Sequence, residues 1–321
     1  MILTVTVNPL LERRYYYDEI NLTKVNRNGK LIIKAGGKGI NVNKQLNKLG
    51  IANSAMLFTG GTNGKLFRDA LRSEKINFTD VVIKSETRDA AIIIDKTSKK
   101  IFSFFGMNSA VSSSEVESFI SKMEKAISTC EVVIFSGSSP SRETELIFTE
   151  GIKIANKLDK ISVCDTYGNH LEQCLNASPT IIHNNADEIK SSLSLNLEKE
   201  SDYIELLKNL YSKGIKQAYI TNSGKSFYAS NFDFHYKITP AEISTVDSTG
   251  SGDAFVAGII YGWHNKLNFE EQVRLAAGLG ACNATSLEVC DVNIKDVQLI
   301  SEKVLVQPVG KKIKQIDDSP F

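Results

Sequence analysis

Two glycine-rich runs carry the residue types that handle phosphoryl groups. The first, Asp247-Ser-Thr-Gly-Ser-Gly-Asp-Ala-Phe255, follows an extended-looking Ile243 to Val246 and opens an apolar helical run from Ala254 to Trp263. Gly250 and Gly252 let the main chain turn sharply with its N–H groups exposed, and the N-terminus of the helix adds partial positive charge. Such a loop suits a phosphoryl group. Asp253 would repel a bound phosphate unless it serves a hydroxyl in the same place, where its carboxylate accepts the alcohol proton. Helix capping alone would also account for an aspartate here. The second run, Lys34-Ala-Gly-Gly-Lys-Gly-Ile-Asn-Val-Asn43, again sets glycines ahead of an amphipathic helix. Gly36 and Gly37 admit a ligand against the main chain, while Lys38 and Asn41 offer donors to hydroxyls or phosphate.

The elements that must position these loops follow from hydrophobic spacing. Short Val- and Ile-rich runs predict buried strands at Leu3 to Val7, Ala55 to Phe58, Val132 to Phe135, Ile161 to Cys164, Thr180 to Ile182 and Gln217 to Thr221. Apolar residues three and four apart predict helices at Asn41 to Leu49, Leu66 to Ser73, Glu115 to Ser128, Arg142 to Lys157 and Tyr203 to Lys213. Their alternation implies an α/β fold with a mainly parallel sheet covered by helices on both faces. Two segments break the rhythm: Tyr15 to Ala35, and Ala90 to Phe105 with a hairpin turn over Asp95 to Lys100. Neither precedes a helical crossover, so both are expected in a small separate sheet that covers a site mouth or pairs with another subunit. A decorated edge of the main sheet is the plainer alternative.

The 321-residue chain carries 38 basic and 37 acidic side chains, a net charge of +1. That balance leaves no footprint of a nucleic-acid partner, so an anionic ligand must be gripped locally. Cys130, Cys164, Cys174, Cys282 and Cys290 show no CxxC spacing and read as reduced, buried thiols. The longest apolar stretches are strand-sized and no charged leader precedes Met1-Ile-Leu-Thr-Val5, so no membrane association and a cytoplasmic location are expected. The polar tail Lys311 to Phe321 is expected to fray.

Together the two glycine-rich runs resemble the paired signatures of the PfkB/ribokinase family of sugar kinases, a GGKGxN segment and a D-x-T-G-x-G-D-x-F segment. Further matches in order are Thr6-Val-Asn8-Pro9, Gly60-Gly61 with Gly64, Thr87-Arg88, Ser136-Gly-Ser138 with Pro140, Asp165-Thr166 with Gly168, and Asn185-Ala-Asp-Glu188, so the resemblance spans nearly the whole chain. Asn8-Pro9, Asn26-Arg27 and GGKGINV look most like the 1-phosphofructokinase and tagatose-6-phosphate kinase subfamily. The resemblance implies a ribokinase-like three-layer αβα sandwich with a β-sheet lid. Residues 1–10, 37–86 and 108–321 would form the core, and 11–36 and 87–107 the lid. It further implies ATP and Mg2+ as cofactors, a sugar phosphate as the other small-molecule partner, and a homodimer formed through the lid.

Residue by residue, the resemblance makes Asp253 the base and Gly250, Ser251 and Gly252 the anion hole. Asn185 and Glu188 would organise magnesium through water. Glu12, Arg27, Gly36, Gly37, Lys38, Asn41, Arg88 and Ser138 fall at sugar-phosphate positions. His183, Asn185, Thr221, Ser223, Gly224, Thr249, Gly250, Gly252 and Asn283 fall on the nucleotide side. The chain departs from the pattern in places: Glu12 replaces an Asp, Ala90 an Asn, Phe105-Gly-Met-Asn108 an NEPG-like turn, and His183 a Lys, while Ser223 and Ser226 replace glycines. The expected reaction is ATP-dependent phosphorylation of a ketohexose phosphate. A kinase of another sugar or nucleoside, or a kinase-fold sensor with little turnover, is the alternative. Gly224-Lys-Ser226 only mimics the end of a Walker A loop, since Tyr219 stands at its first glycine and a strand-like Phe227 to Ile238 follows. A dinucleotide fold would need GxGxxG after the first strand, which ends in Asn8-Pro9.

Overall fold

The computed structural model of the protein describes residues 1–310, and the expectation for Lys311 to Phe321 lies outside them. The chain opens with β1 (Ile2–Thr6), β2 (Leu10–Tyr17), β3 (Lys30–Gly36), α1 (Lys38–Lys48), β4 (Asn53–Gly60), α2 (Gly61–Ser73) and β5 (Phe78–Ile83). It continues through β6 (Asp89–Asp95), β7 (Ile101–Phe105), α3 (Ser113–Ser128), β8 (Val132–Gly137), α4 (Arg142–Lys157), β9 (Ile161–Thr166), α5 (Leu171–Asn176) and β10 (Ile181–Asn185). The last part holds α6 (Ala186–Leu193), α7 (Glu200–Ser212), β11 (Gln217–Thr221), β12 (Phe227–Asn231), β13 (Phe234–Thr239), α8 (Ser251–His264), α9 (Phe269–Ala284), α10 (Ile294–Ser301) and β14 (Leu305–Val309).

Ten strands form one sheet in the order β14-β13-β12-β11-β10-β9-β8-β1-β4-β5. From β5 to β11 every pair is parallel, and β12, β13 and β14 add an antiparallel margin. Successive strand side chains point to opposite faces, and the sequence is apolar at both. In β8, Val133 and Phe135 join a core with Phe119, Met123, Ile147 and Phe148 of α3 and α4. Val132 and Ile134 join the other core, with Val42 and Leu46 of α1 and Val256, Ile259 and Ile260 of α8. These are the two outer layers of an αβα sandwich.

The chain winds from β1 outward to β4 and β5, then returns to β8 and winds the other way to β9, β10 and β11. Ligands of open α/β sheets gather beyond the carboxyl ends of the strands at such a reversal. Asn8, Ser138, Asp165, Asn185 and Thr221 all stand at these ends.

The second sheet has the order β3-β2-β6-β7, with β2 and β6 parallel and the outer pairs antiparallel. It contains both segments that break the alternation, as a sheet separate from the main one. The extended reading of Ile243 to Val246 is corrected. The amides of Val246 and Asp247 both turn to the carbonyl of Ala284 at the end of α9, at 2.7 and 3.2 Å, and so join no ladder. The strand-like Phe227 to Ile238 divides into β12 and β13 at Phe232, whose φ of 52° makes the reversal. Gly224-Lys-Ser226 lies in the preceding turn, leading into a strand instead of the helix that a Walker A loop needs. Among the described residues, no helix is long and apolar enough to cross a membrane. The five cysteines are free and buried.

Candidate active site

A cleft of about 1160 Å³ runs over the carboxyl ends of the main strands and under the small sheet. At its floor α8 begins at Gly250, whose φ of 77° is a left-handed conformation that favours glycine. A Cβ there would stand 2.3 Å from Val289 Cγ1. The Ser251 N–H turns back to Ser248 O at 3.1 Å. The amides next in line, Gly252 and Asp253, are therefore the ones that first-turn geometry leaves to an anion. Gly252 is needed for space as well, since a Cβ would lie 3.1 Å from His183 Cε1. Asn283 sits behind this loop. Its amide donates to Thr249 O at 2.8 Å and Ser251 Oγ at 3.2 Å, and its oxygen accepts from Cys290 N at 2.7 Å.

Asp253, in the first turn of α8, is 3% exposed. Its Oδ2 accepts from Asn41 Nδ2 at 2.8 Å, which joins the two glycine-rich motifs across 212 residues. Burial, reinforced by the charge of Asp165, pushes its carboxyl up to about 7, against the opposing pull of Lys38, Asn41 and His183. A carboxyl raised to this range exchanges its proton near neutral pH, as a general base must. Lys38 enters from the first turn of α1 and donates to Asp165 Oδ1 at 3.0 Å and Glu188 Oε1 at 2.9 Å. Burial alone would lower its ammonium, but Asp165, Glu188 and Asp253 more than offset this and hold it above the ordinary lysine value. Asp165 is held low by Lys38 and His183 despite complete burial. His183 Nδ1 donates to Asp165 Oδ1 at 2.9 Å, which leaves Nε2 toward Thr221 Oγ1 at 3.3 Å.

Glu188 and Asn185 form a reciprocal cap at the start of α6, with Glu188 N to Asn185 Oδ1 at 2.8 Å and Asn185 N to Glu188 Oε2 at 3.0 Å. Asp165 Oδ2 is buried with no hydrogen-bond partner among the described residues. Asp165 and Glu188, both bonded to Lys38, and Asn185 are hard oxygen donors too few to enclose a metal, which fits a magnesium ion that keeps most of its waters.

On the other wall, Arg88 donates to Asn8 O at 2.9 Å, Pro9 O at 3.2 Å and Asn108 Oδ1 at 3.4 Å. Its acceptors are neutral, and burial pulls the guanidinium below its ordinary value. Of the residues expected from sequence, Glu12, Gly37, Lys38, Asn41, Arg88, His183, Asn185, Glu188, Thr221, Ser223, Gly224, Thr249 and Gly250 to Asp253 line this one cleft. Four do not. Arg27 is exposed in the loop between β2 and β3. Gly36 lies under Glu12, Ser138 accepts from Asn8 Nδ2 at 3.1 Å, and Asn283 braces the Thr249 to Ser251 loop. Sequence reasoning missed Arg14, Tyr167 and Lys225, which also line the cleft. Tyr167 presents its ring 5.3 Å from Lys38 Nζ and directly follows the Asp165-Thr166 match, which was the available signal.

A buried carboxylate beside a helix N-terminus, a lysine and oxygen donors, on a ribokinase-like fold, is an arrangement suited to phosphoryl transfer to an alcohol. The pfkB family carbohydrate kinase model matches residues 10–295, and the chain belongs to that family. It is similar to the tagatose-6-phosphate kinase of Staphylococcus epidermidis, 28% identical over 312 residues, covering 95% of this chain and 99% of the relative. A possible 1-phosphofructokinase from Thermotoga maritima superposes with a TM-score of 0.87 at 25% identity, over 96% of this chain and 99% of the other. Phosphofructokinase-2 from Escherichia coli does so at 0.85 and 20% identity, over 94% and 98%.

Proposed function

We propose that the protein transfers the γ-phosphoryl group of ATP to a hydroxyl of a ketohexose phosphate, in the manner of a 1-phosphofructokinase or tagatose-6-phosphate kinase. Arg88 carries the sugar-phosphate part of this reading. It is a half-buried guanidinium without a carboxylate partner among the described residues, in the cleft that Asp253 also lines. Such a group is stabilised by an anion, and its planar fork suits phosphate.

Asp253 takes the proton of the attacking hydroxyl, with Asn41 fixing the orientation of its carboxylate. The Gly252 and Asp253 amides stabilise charge that develops on the transferring group. Asn185 and Glu188 would hold magnesium through waters, and the bound ion would supply charge neutralisation at phosphate oxygens. His183, Thr221, Ser223, Gly224 and Thr249 form the wall assigned to the nucleotide. Asn283 supports that wall from behind. The small sheet acts as the lid that excludes water. It also supports the homodimer, because Leu22, Val25, Leu31, Phe104, Phe105 and Met107 are exposed apolar residues on or beside it. Sedimentation as a monomer at micromolar concentration would remove that assignment.

A coupled assay with MgATP across ketohexose phosphates, free hexoses and nucleosides tests the substrate class. Turnover of at least one ketohexose phosphate, with kcat/KM about 10²-fold or more above its free sugar, is expected from loss of a charged contact. Equal use of fructose or tagatose and their phosphates would defeat it.

A further inference from the structure

Along β2, alternate side chains share a face, so Leu10, Glu12 and Arg14 all look into the cleft. Around them that wall is mainly apolar, with Ser103 of β7 among its lining residues. Ile92 and Ile94 come from β6, Ile101 and Phe105 from β7. Into this surface the chain sets an ion pair, Arg14 Nε to Glu12 Oε2 at 2.7 Å, with side chains only 6% and 9% exposed.

A buried pair of this kind is a poor stability device. Desolvation of both charges offsets their attraction, and apolar residues of similar size usually do as well or better. Leu10, Ile92 and Ile94 already form an apolar cluster at this site. The pair therefore points to a ligand.

Its geometry shows what it offers. Glu12 Oε2 is taken by Arg14. Oε1 stands over Gly36, where a Cβ would lie 2.3 Å away, so the carboxylate is fixed by a guanidinium on one side and a bare backbone on the other. The register partner of Glu12 on β6 is Ala90, where the family resemblance leads one to expect an asparagine. The wall thus presents a carboxylate acceptor and lacks the amide donor.

We infer that Arg14 is a positioning residue that aims Glu12 at a hydroxyl of the acceptor sugar, so that the Glu12–Arg14 pair sets which hydroxyl pattern the cleft accepts. This rests on the kinase reading of the same cleft. Substrates that place a hydroxyl donor toward β2 are favoured, and epimers that turn it away lose the contact.

Steady-state kinetics of Arg14→Met and Arg14→Lys test it, with ATP and with whichever acceptor the wild type turns over best. The KM for the acceptor should rise about 10- to 100-fold in Arg14→Met, as expected for losing the orientation of one charged hydrogen bond, while the KM for ATP stays within about twofold. Arg14→Lys should recover part of the loss, since it restores the charge without the planar fork. The ratio of kcat/KM between tagatose 6-phosphate and its C4 epimer fructose 6-phosphate should also move toward one. A purely structural pair would move both KM values together with the melting temperature. An unchanged acceptor KM in either folded variant, or an ATP KM that rises equally, overturns the inference. If Arg14→Met does not fold, Arg14→Lys decides alone, an acceptor KM within twofold of the parent overturning it. Should the wild type prefer a free sugar, the proposed substrate class fails separately, and Arg14 is judged on that sugar.

Discussion

The floor of the cleft and the wall that faces it are built on opposite plans. On the floor, Asn41 bonds Asp253, Lys38 bonds Asp165 and Glu188, and His183 bonds Asp165, so that mostly buried polar contacts tie α1 to α8, β9 and α6, and β9 to β10. On the wall, β2, β6 and β7 present mainly apolar side chains, interrupted by one ion pair, Ser103 and the neighbouring Arg88. Hydrogen-bonded groups in low dielectric constrain one another, and any one partner removed leaves others buried and unpaired. The wall carries few polar groups, and among them Glu12 and Arg14 depend on each other. The chemistry proposed above falls on the floor, and the proposed sugar contacts fall on the more apolar wall. Glu12 and Ala90 depart from the family pattern on the wall. On the floor His183 departs, yet it remains hydrogen-bonded to Asp165.

Substitutions should separate the two regions by which kinetic constant moves. Asp253→Asn is expected to have the largest effect, a fall in kcat of about 10²- to 10⁴-fold, because it removes the base while keeping the shape. The same variant should melt higher than the parent at pH 8. A carboxyl whose pKa is raised on folding favours the folded state only when protonated, so the wild type loses stability as pH rises through about 7. The melting difference should shrink toward pH 5. Arg88→Met should act on the wall instead, raising the KM for a sugar phosphate about tenfold or more, with a smaller change in kcat. A fall in kcat alone for Arg88→Met, or a rise in KM alone for Asp253→Asn, would break the division between floor and wall.

What was legible in the sequence follows the same division. The helix at Arg142–Lys157 and the strand at Gln217–Thr221 were readable because their apolar spacing is local. So were Gly250, Gly252 and Asp253, where a glycine turn and the following helix lie within a few residues of each other. The partners of Lys38 were not. Asp165 and Glu188 are 127 and 150 residues away, and three separate strand ends must be assembled before they meet. Arg14 was hidden for another reason. Alternation places it on the face of Glu12, but its burial depends on β6 and β7 packing over the cleft. Ile243 to Val246 misled because β-branched spacing promises a strand, while its neighbour in space is the end of a helix.

The central claim is that the buried carboxylate of Asp253 is the base. The most direct measurement is the pH dependence of kcat/KM between pH 5.5 and 8.5, with the residual activity of Asp253→Asn as reference for titration of the substrate phosphates. The account predicts that wild-type activity falls about tenfold per unit below an apparent pKa near 7, set by burial and by Asp165 against Lys38, and that this limb vanishes in Asp253→Asn. A wild-type profile that stays flat down to pH 5.5, or that keeps its acid limb in the variant, would contradict it.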